Sequence, residues 1–355
     1  MRTITFLALC CAVPLLSCTE STAPTAPSSS ISAAATKTPT ITVTDLGAFW
    51  PAAIGPRGQV VGWTNATPNR AVLWENGVLH DLPNLPGGDH AQANGINAAG
   101  QIVGSGNSGT TGDLDHAILW DHGVPRDLGT LPGGPSSWAY GISPSGEIIV
   151  GESDGGGGYG EEGGVRHAVV WDRRVITDLG ALGILSISSA RAINPSGVIV
   201  GNAGAGPMNH GFRWEKGVMT ELSALPPAGW DQRTGAGAIN ARGQIVGYSE
   251  VPPVDEMNYR AVRWDKDGIT ELGTLPGGTS SSVADINDAG QVVGQAVTAD
   301  GQYVAVLWDH GRITNLGTLP GGSGSGASAI NNQGLIVGVS WTGTSPGHAV
   351  LWTVK

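Results

Sequence analysis

Trp230, Asp231 and Arg233 stand together in "PPAGWDQRTGAG" (226–237), and Glu250, Asp255, Glu256 and Tyr259 stand in "EVPPVDEMNYR" (250–260). Aromatic rings give a platform for the apolar face of a sugar or for a peptide side chain. Carboxylates and a guanidinium add directed hydrogen bonds to hydroxyls and amides. The combination suits recognition of a glycan or a protein ligand. A solvated, irregular rim of loops is the plainer alternative, and the sequence leaves both open.

Asp285 is a different kind of signal. Its equivalents in the repeats described below are Ala53, Gly95, Gly141, Ala192, Ala238 and Ala329, all small. A lone carboxylate near a narrow axis meets channel water or a cation, with ordinary solvation as the alternative. Four histidines, His116, His167, His210 and His348, open equivalent strands, with Arg70, Arg260 and Val304 in the other units. Equivalent positions on a ring cannot converge on one ion, whose ligands must lie within ~2 to 2.5 Å of a centre. A structural hydrogen bond within or between blades is therefore expected, and no metal or cofactor. There is no H-E-x-x-H, phosphate-cradling glycine loop or calcium-loop spacing. Paired carboxylates can perform glycoside chemistry only at a suitable separation, which sequence does not give.

The elements that would hold these residues follow from three phrases recurring in fixed order: "DLG", "A-x-x-I-N-x-x-G-x-I-V-G" and "H-A-V-L-W". The tryptophans of the third are Trp74, Trp120, Trp171, Trp214, Trp264, Trp308 and Trp352, at spacings of 46, 51, 43, 50, 44 and 44 residues. Seven glycines close "IVG" or its variants: Gly62, Gly104, Gly151, Gly201, Gly247, Gly294 and Gly338. Such a period, holding several short strands per unit, is the signature of a propeller. Each unit reads as a four-stranded meander: A (x-x-I-N), B (x-I-V-G), C (A-V-L-W) and D (x-x-D-L-G). Asn or Ser first and Gly fourth, as in "NAAG" (97–100), mark a type I turn between A and B. Gly123 can supply a positive φ between C and D.

The first strand phrase, "TITVTDLG" (40–47), is a D strand without A to C before it. The last, "HAVLWTVK" (348–355), contains a C strand without D after it. The expectation is an all-β, seven-bladed propeller over 40–355, closed by its N-terminal strand completing the last blade. Helices are not expected, because Gly (57) and Pro (22) are abundant and no sustained 3.6-residue apolar period occurs past residue 40.

Meander topology puts A–B and C–D turns on one face and B–C and D–A connections on the other. The longest connections, 152–166, 226–237 and 248–259, all fall on the second face, so a rigid scaffold would present its variable loops there. The seven repeating tryptophans read as packing. Trp50, Trp63, Trp138, Trp230 and Trp341 break the repeat and are the candidate functional aromatics.

Residues 1–17, with Arg2 and an apolar run from Ile4 to Leu16, read as a lipoprotein-type signal peptide too short to span a membrane. "LLSC" places Cys18 as the acylated residue, with ordinary cleavage nearby as the alternative. Residues 18–39, rich in Ser, Thr, Ala and Pro, read as a tether. Because Cys10 and Cys11 lie in the removed segment, no intramolecular disulfide is possible. A net charge of -11 argues against nucleic acid as a partner.

The combined phrases "LGTLPGG", "AxxINxxGxIVG" and "HAVLW" over 45–352 resemble the HAF-repeat family of predicted extracellular bacterial proteins. The resemblance implies an exported repeat propeller and carries no activity onto particular residues. The expectation is a monomeric, non-enzymatic binding or scaffold propeller, exported and lipid-anchored to the cell envelope, on the outer membrane, or secreted. Contact with the membrane would be through the lipid alone. The runner-up is an extracellular polysaccharide hydrolase or lyase, which requires polar residues converging asymmetrically on the axis; a purely structural surface protein comes third.

Overall fold

A computed structural model of the chain describes residues 39–110, 112, 114–155, 165–173, 175–183, 187–204, 209–227, 232–251, 258–343 and 347–355. Pro39–Lys355 make one compact unit, and its described residues form strands and turns without a helix. Its 28 strands build seven four-stranded antiparallel sheets, the seven-bladed propeller expected from the repeats. Blades 1 to 6 hold β2–β5 (49–81), β6–β9 (91–127), β10–β13 (137–178), β14–β17 (188–221), β18–β21 (234–271) and β22–β25 (281–315). Blade 7 comprises β26 (Gly324–Ile330), β27 (Ile336–Trp341), β28 (His348–Val354) and, on its outer edge, β1 (Ile41–Gly47). Ile41 pairs with Val354 and Gly47 with Ala349, so the two ends of the ring are joined by a sheet ladder.

The repeated phrases have local causes. In the A–B turn the Asn97 side-chain oxygen accepts the N–H groups of Ala99 and Gln101 at 3.1 and 2.9 Å, while Gly100 takes a φ of 83°. "LPGG" is a turn in which the second glycine donates back to leucine, as Gly88 does to the Leu85 carbonyl at 2.9 Å. Pro86 then sets the first central φ and Gly87, at 78°, supplies the positive φ that a type II turn needs.

The "IVG" glycine follows from the inner strand. Every A strand carries a one-residue bulge opposite it, skipping Ala52, Asn94, Tyr140, Arg191, Gly237, Ala284 and Ser328 in turn. At the bulge the A-strand backbone presses on strand B, so a Cβ on Gly151 would overlap the Trp138 carbonyl oxygen. The same holds for Gly294 against Ser282 and Gly338 against Gly326.

The core lies between blades. Phe49, Val60 and Val72 of blade 1 pack with Ala329, Val337 and Ala349 of blade 7. Trp120, Trp171 and Trp352 are fully buried, as the packing reading of the repeating tryptophans expects. Trp120 Nε1 donates to the Pro83 carbonyl at 2.7 Å and Trp264 Nε1 to that of Ser223 at 2.8 Å, tying blades 2 and 5 to the link before each. Burying one such side chain is worth roughly 1.5 to 3 kcal/mol.

The strand-opening histidines make the structural bond expected of them, within a blade. His116 Nδ1 lies 2.8 Å from Asp127 Oδ2, and His167 Nδ1 lies 2.7 Å from Asp178 Oδ2. His210 pairs with Glu221 at 2.8 Å, Arg70 with Asp81 at 2.7 Å and Arg260 with Glu271 at 3.3 Å. In blade 6, Val304 opens the strand and the acid is replaced by Asn315, whose Oδ1 still accepts the Gly317 N–H at 2.8 Å. Cation and acid are lost together, while the turn function of the acid is kept.

Candidate functional site

Of the residues singled out on the variable face, Trp230, Asp231, Asp255 and Glu256 lie outside the described residues, as does Cys18. Arg233, Glu250 and Tyr259 are brought together by blade 5. Arg233 Nη1 donates to the Tyr259 hydroxyl at 3.1 Å, and Arg233 Nε lies 3.5 Å from Glu250 Oε2. Glu250 is fully buried, and its Oε1 has no hydrogen-bond partner. Its carboxylate raises the Arg233 pKa and holds that guanidinium charged. Tyr248 meets Tyr259 edge to face at 5.0 Å between centroids, and Asn209 Nδ2 donates to the Tyr248 hydroxyl at 2.8 Å. Burial, then the neighbouring Tyr259, raise the Tyr248 pKa.

Beside this cluster, between blades 5 and 6, is a cavity of 250 Å³ lined by Tyr259, Ser280, Ser282, Gln295 and Tyr303 among others. Tyr303 is 56% exposed. Its rings, hydroxyls and amide carry no formal charge. Sequence reasoning did not single out Tyr303, whose signal was an aromatic residue at the mouth of a B–C connection, where Tyr259 also stands.

Asp285 lies on the propeller axis, as its departure from small equivalents suggested. Its Oδ1 accepts the Ile286 N–H at 2.8 Å and its Oδ2 the Ile330 N–H of the next blade at 3.0 Å. Burial outweighs these two bonds and pushes its pKa up to about 6. It stitches blade 6 to blade 7.

A second network on the same face was missed by sequence reasoning apart from Trp138. His90 bridges Asp89 at 2.9 Å and Asp115 at 2.8 Å, and Trp138 Nε1 donates to Asp115 Oδ2 at 3.2 Å. Burial opposes charging of His90, but its hydrogen bonds to both carboxylates raise its pKa on balance. The Arg166 guanidinium sits 4.2 Å over the Trp138 ring and reaches Glu152 at 3.0 Å and Asp154 at 3.3 Å. Tyr140 donates its hydroxyl to Glu152 Oε1 at 2.9 Å, and Arg191 lies 4.3 Å from the Tyr140 centroid. Burial, reinforced by the Glu152 carboxylate, raises the Tyr140 pKa so that it stays a phenol. The chain of contacts runs from the rim on blade 2 to the axis on blade 4.

Polar side chains therefore do converge asymmetrically on the axis. Asn94, Tyr140 and Arg191 project from blades 2 to 4, whereas Ala52, Gly237, Ala284 and Ser328 occupy the same bulge position elsewhere. Towards the A–B turns the axis is ringed by Ile54, Ile96, Ile142, Ile193, Ile239, Ile286 and Ile330, one from each blade. Among the described residues no group of His, Cys, Asp and Glu is arranged to hold a metal ion.

The fold is that of known propellers. The chain is similar to an oligogalacturonate lyase from Vibrio parahaemolyticus (TM-score 0.59, 8% identity, 90% of this chain and 97% of that one). It is also similar to the β-propeller domain of the Trilobed protease from Pyrococcus furiosus (TM-score 0.53, 12% identity, 86% and 97% covered). The acylaminoacyl peptidase of Pyrococcus horikoshii matches with a TM-score of 0.56 and 12% identity over 86% of this chain, which spans about half, 52%, of the peptidase. At these identities the likeness establishes architecture and no activity. No protein-family model and no curated protein sequence matches the chain.

Proposed function

We propose that this chain is an exported propeller that binds a glycan on its B–C and D–A face and catalyses no reaction. In this reading Cys18 is acylated and 18–39 tethers the propeller to the cell envelope, in line with the HAF-repeat resemblance. The observation that carries the proposal is the 250 Å³ cavity between Tyr259 and the exposed Tyr303. Two aromatic edges, two serines and a glutamine match the alternating C–H and hydroxyl surfaces of a sugar. A charged ligand gains nothing from those groups.

The test is thermal unfolding of the full chain with neutral polysaccharides, peptidoglycan fragments and calcium. A ligand at about 100 times its dissociation constant adds roughly 2.7 kcal/mol to stability. A shift with a glycan that is lost in Tyr259→Ala and Tyr303→Ala supports the proposal. Absence of any shift moves the reading to a protein ligand or a structural role.

The polar side chains converging on the axis favour a second reading, an enzyme that hydrolyses or eliminates extracellular polysaccharide. One of the propellers that the chain is similar to is named an oligogalacturonate lyase, which is compatible with that reading. Release of reducing or unsaturated ends on incubation with a polysaccharide panel would establish it over the binding role.

A further inference from the structure

We propose that the axial cavity is a second binding site, in which Arg191 recognises the carboxylate of a small sugar acid. The site is separate from the tyrosine-lined cavity and does not depend on it.

The argument starts from the bulges. Each A strand places one bulged residue at the axis, and in four blades that residue is Ala, Gly or Ser. In blade 4 it is Arg191, the one cation in this position. The chain is acidic overall, and ion pairs are common on its surface. Arg191 nonetheless has no carboxylate partner among the described residues. Its guanidinium rests on the Tyr140 ring at 4.3 Å, a contact that orients one face and leaves the N–H edges open.

That platform is itself held. Tyr140 is fixed by its hydrogen bond to Glu152, and Glu152 is fixed in turn by Arg166, which is stacked on Trp138. An arginine presented in this way costs little further ordering on binding, so its fork is prepared for a planar, bidentate anion.

The surroundings choose among anions. The other ionic group lining this cavity, Asp285, has both oxygens engaged by backbone N–H groups, and Arg166 is already paired with two carboxylates. One guanidinium without a second cation suits a single-charged carboxylate rather than a phosphate. Asn94 and Ser328 also line the cavity and add polar groups, among alanines, glycines and isoleucines. The cavity measures 270 Å³, just under the ~300 to 1,000 Å³ typical of drug-sized ligand sites, which leaves room for one sugar ring.

The experiment is calorimetric titration of the full chain with D-glucuronate, D-glucose and N-acetylglycine, repeated on Arg191→Met and Arg191→Lys. Arg191→Met keeps an apolar stem over Tyr140, and its fold is checked by the β signal and unfolding midpoint. Glucuronate is expected to bind, glucose to bind at least tenfold more weakly, and Arg191→Met to lose about tenfold or more for glucuronate only. Arg191→Lys, which keeps the charge without the fork, should fall between. Equal binding of glucose and glucuronate, or glucuronate binding unchanged in Arg191→Met, would overturn the proposal, as would no binding of any probe. Preference for N-acetylglycine over glucuronate would overturn the sugar-acid assignment in favour of a peptide end. Tyr259→Ala should leave all these values unchanged, so failure of the tyrosine cavity and failure of this site are read separately.

Discussion

His348 Nδ1 lies 2.8 Å from Asp45 Oδ2, a contact spanning 303 residues of sequence that fastens the last strand of blade 7 to the first strand of the propeller. Asp45 uses its other oxygen as the turn acids do, accepting the Gly47 N–H at 2.8 Å. Both side chains are more than a third exposed, so the pair itself contributes little, within the ~0 to 1 kcal/mol of surface ion pairs. The ladder from Ile41–Val354 to Gly47–Ala349 carries the closure. Deleting residues 40–47 should therefore lower the midpoint and the cooperativity of chemical unfolding far more than His348→Ala does. Equal effects from the two changes would mean that the ladder is dispensable.

The interior of each blade junction makes a sharper prediction. A methyl group on Gly294 would overlap the Ser282 carbonyl, and backbone cannot swing aside as a side chain can. Gly294→Ala should cost about 3 kcal/mol or more, at the upper end of overpacking substitutions. Gly311→Ala is the comparison, because a Cβ there meets nothing within 4 Å and only the strain of its positive φ is added, about 1 kcal/mol. Denaturant unfolding of the two variants separates collision from conformational strain.

These two positions show how far the sequence could be read. Repeat spacing and the mismatched ends were enough to count the blades and place the closing strand, because both depend on which residue types recur. The recurring glycine of "IVG" was visible, but its cause was not, since a bulge is a relation between two strands and leaves no mark on either alone. Arg191 and Tyr140 were missed for the same reason: the bulge register that turns them to the axis must be known before their size stands out. The signal that singled out Asp285, a large residue where the other units have small ones, was present one residue earlier in "WAYGI" and "SARAI". Trp230, Asp231, Asp255 and Glu256 came from loop length and residue type. Three partners from that same reading, Arg233, Glu250 and Tyr259, do meet.

A run of asparagines links the neighbouring blades 4 to 7 and then blade 1. Asn287 Nδ2 donates to the Asn331 carbonyl at 3.2 Å, and Asn331 Nδ2 donates to that of Gly55 at 3.0 Å, crossing the closure. Asn97 forms the same turn but directs its Nδ2 within its own blade, to Gln101 at 2.8 Å. Asn331→Ala should be more destabilising than Asn97→Ala, because the bond it removes joins blade 7 to blade 1 and its buried Gly55 acceptor cannot turn to water, whereas the half-buried Gln101 amide can. Equal losses in urea unfolding would show that the turn alone matters.

Asp285 makes stability depend on pH in a direction opposite to most carboxylates. Its folded pKa, about 6, is above the 3.8 of the exposed group, so the native state binds this proton more tightly than the unfolded state does. The stabilisation it offers is complete below pH ~4 and is lost as pH rises through about 6. Asp285→Asn removes that dependence but also forfeits one of two accepted backbone bonds, so the absolute change has no simple sign. The stability of Asp285→Asn relative to the parent should rise between pH 4 and pH 7, by at most about 3 kcal/mol. A difference that is flat across this range, measured by urea unfolding at each pH, would mean that the carboxylate is not held in the axial wall.

Glu250 gives a reciprocal test of the blade 5 cluster. It is fully buried, one oxygen is unpartnered, and Arg233 is its cation at 3.5 Å. A buried charge stripped of its counter-ion is strongly destabilising, whereas removing both charges together is often close to neutral. Arg233→Met should consequently lower the unfolding midpoint by roughly several degrees, the response of a domain this size to a lost buried pair. Adding Glu250→Gln should restore most of that loss, because the amide needs no cation and keeps an acceptor for the backbone N–H of residue 233, which donates to Glu250 Oε2 at 3.3 Å in the parent. If the double variant is no more stable than Arg233→Met, the arginine acts through its hydrogen bond to Tyr259 instead of through charge.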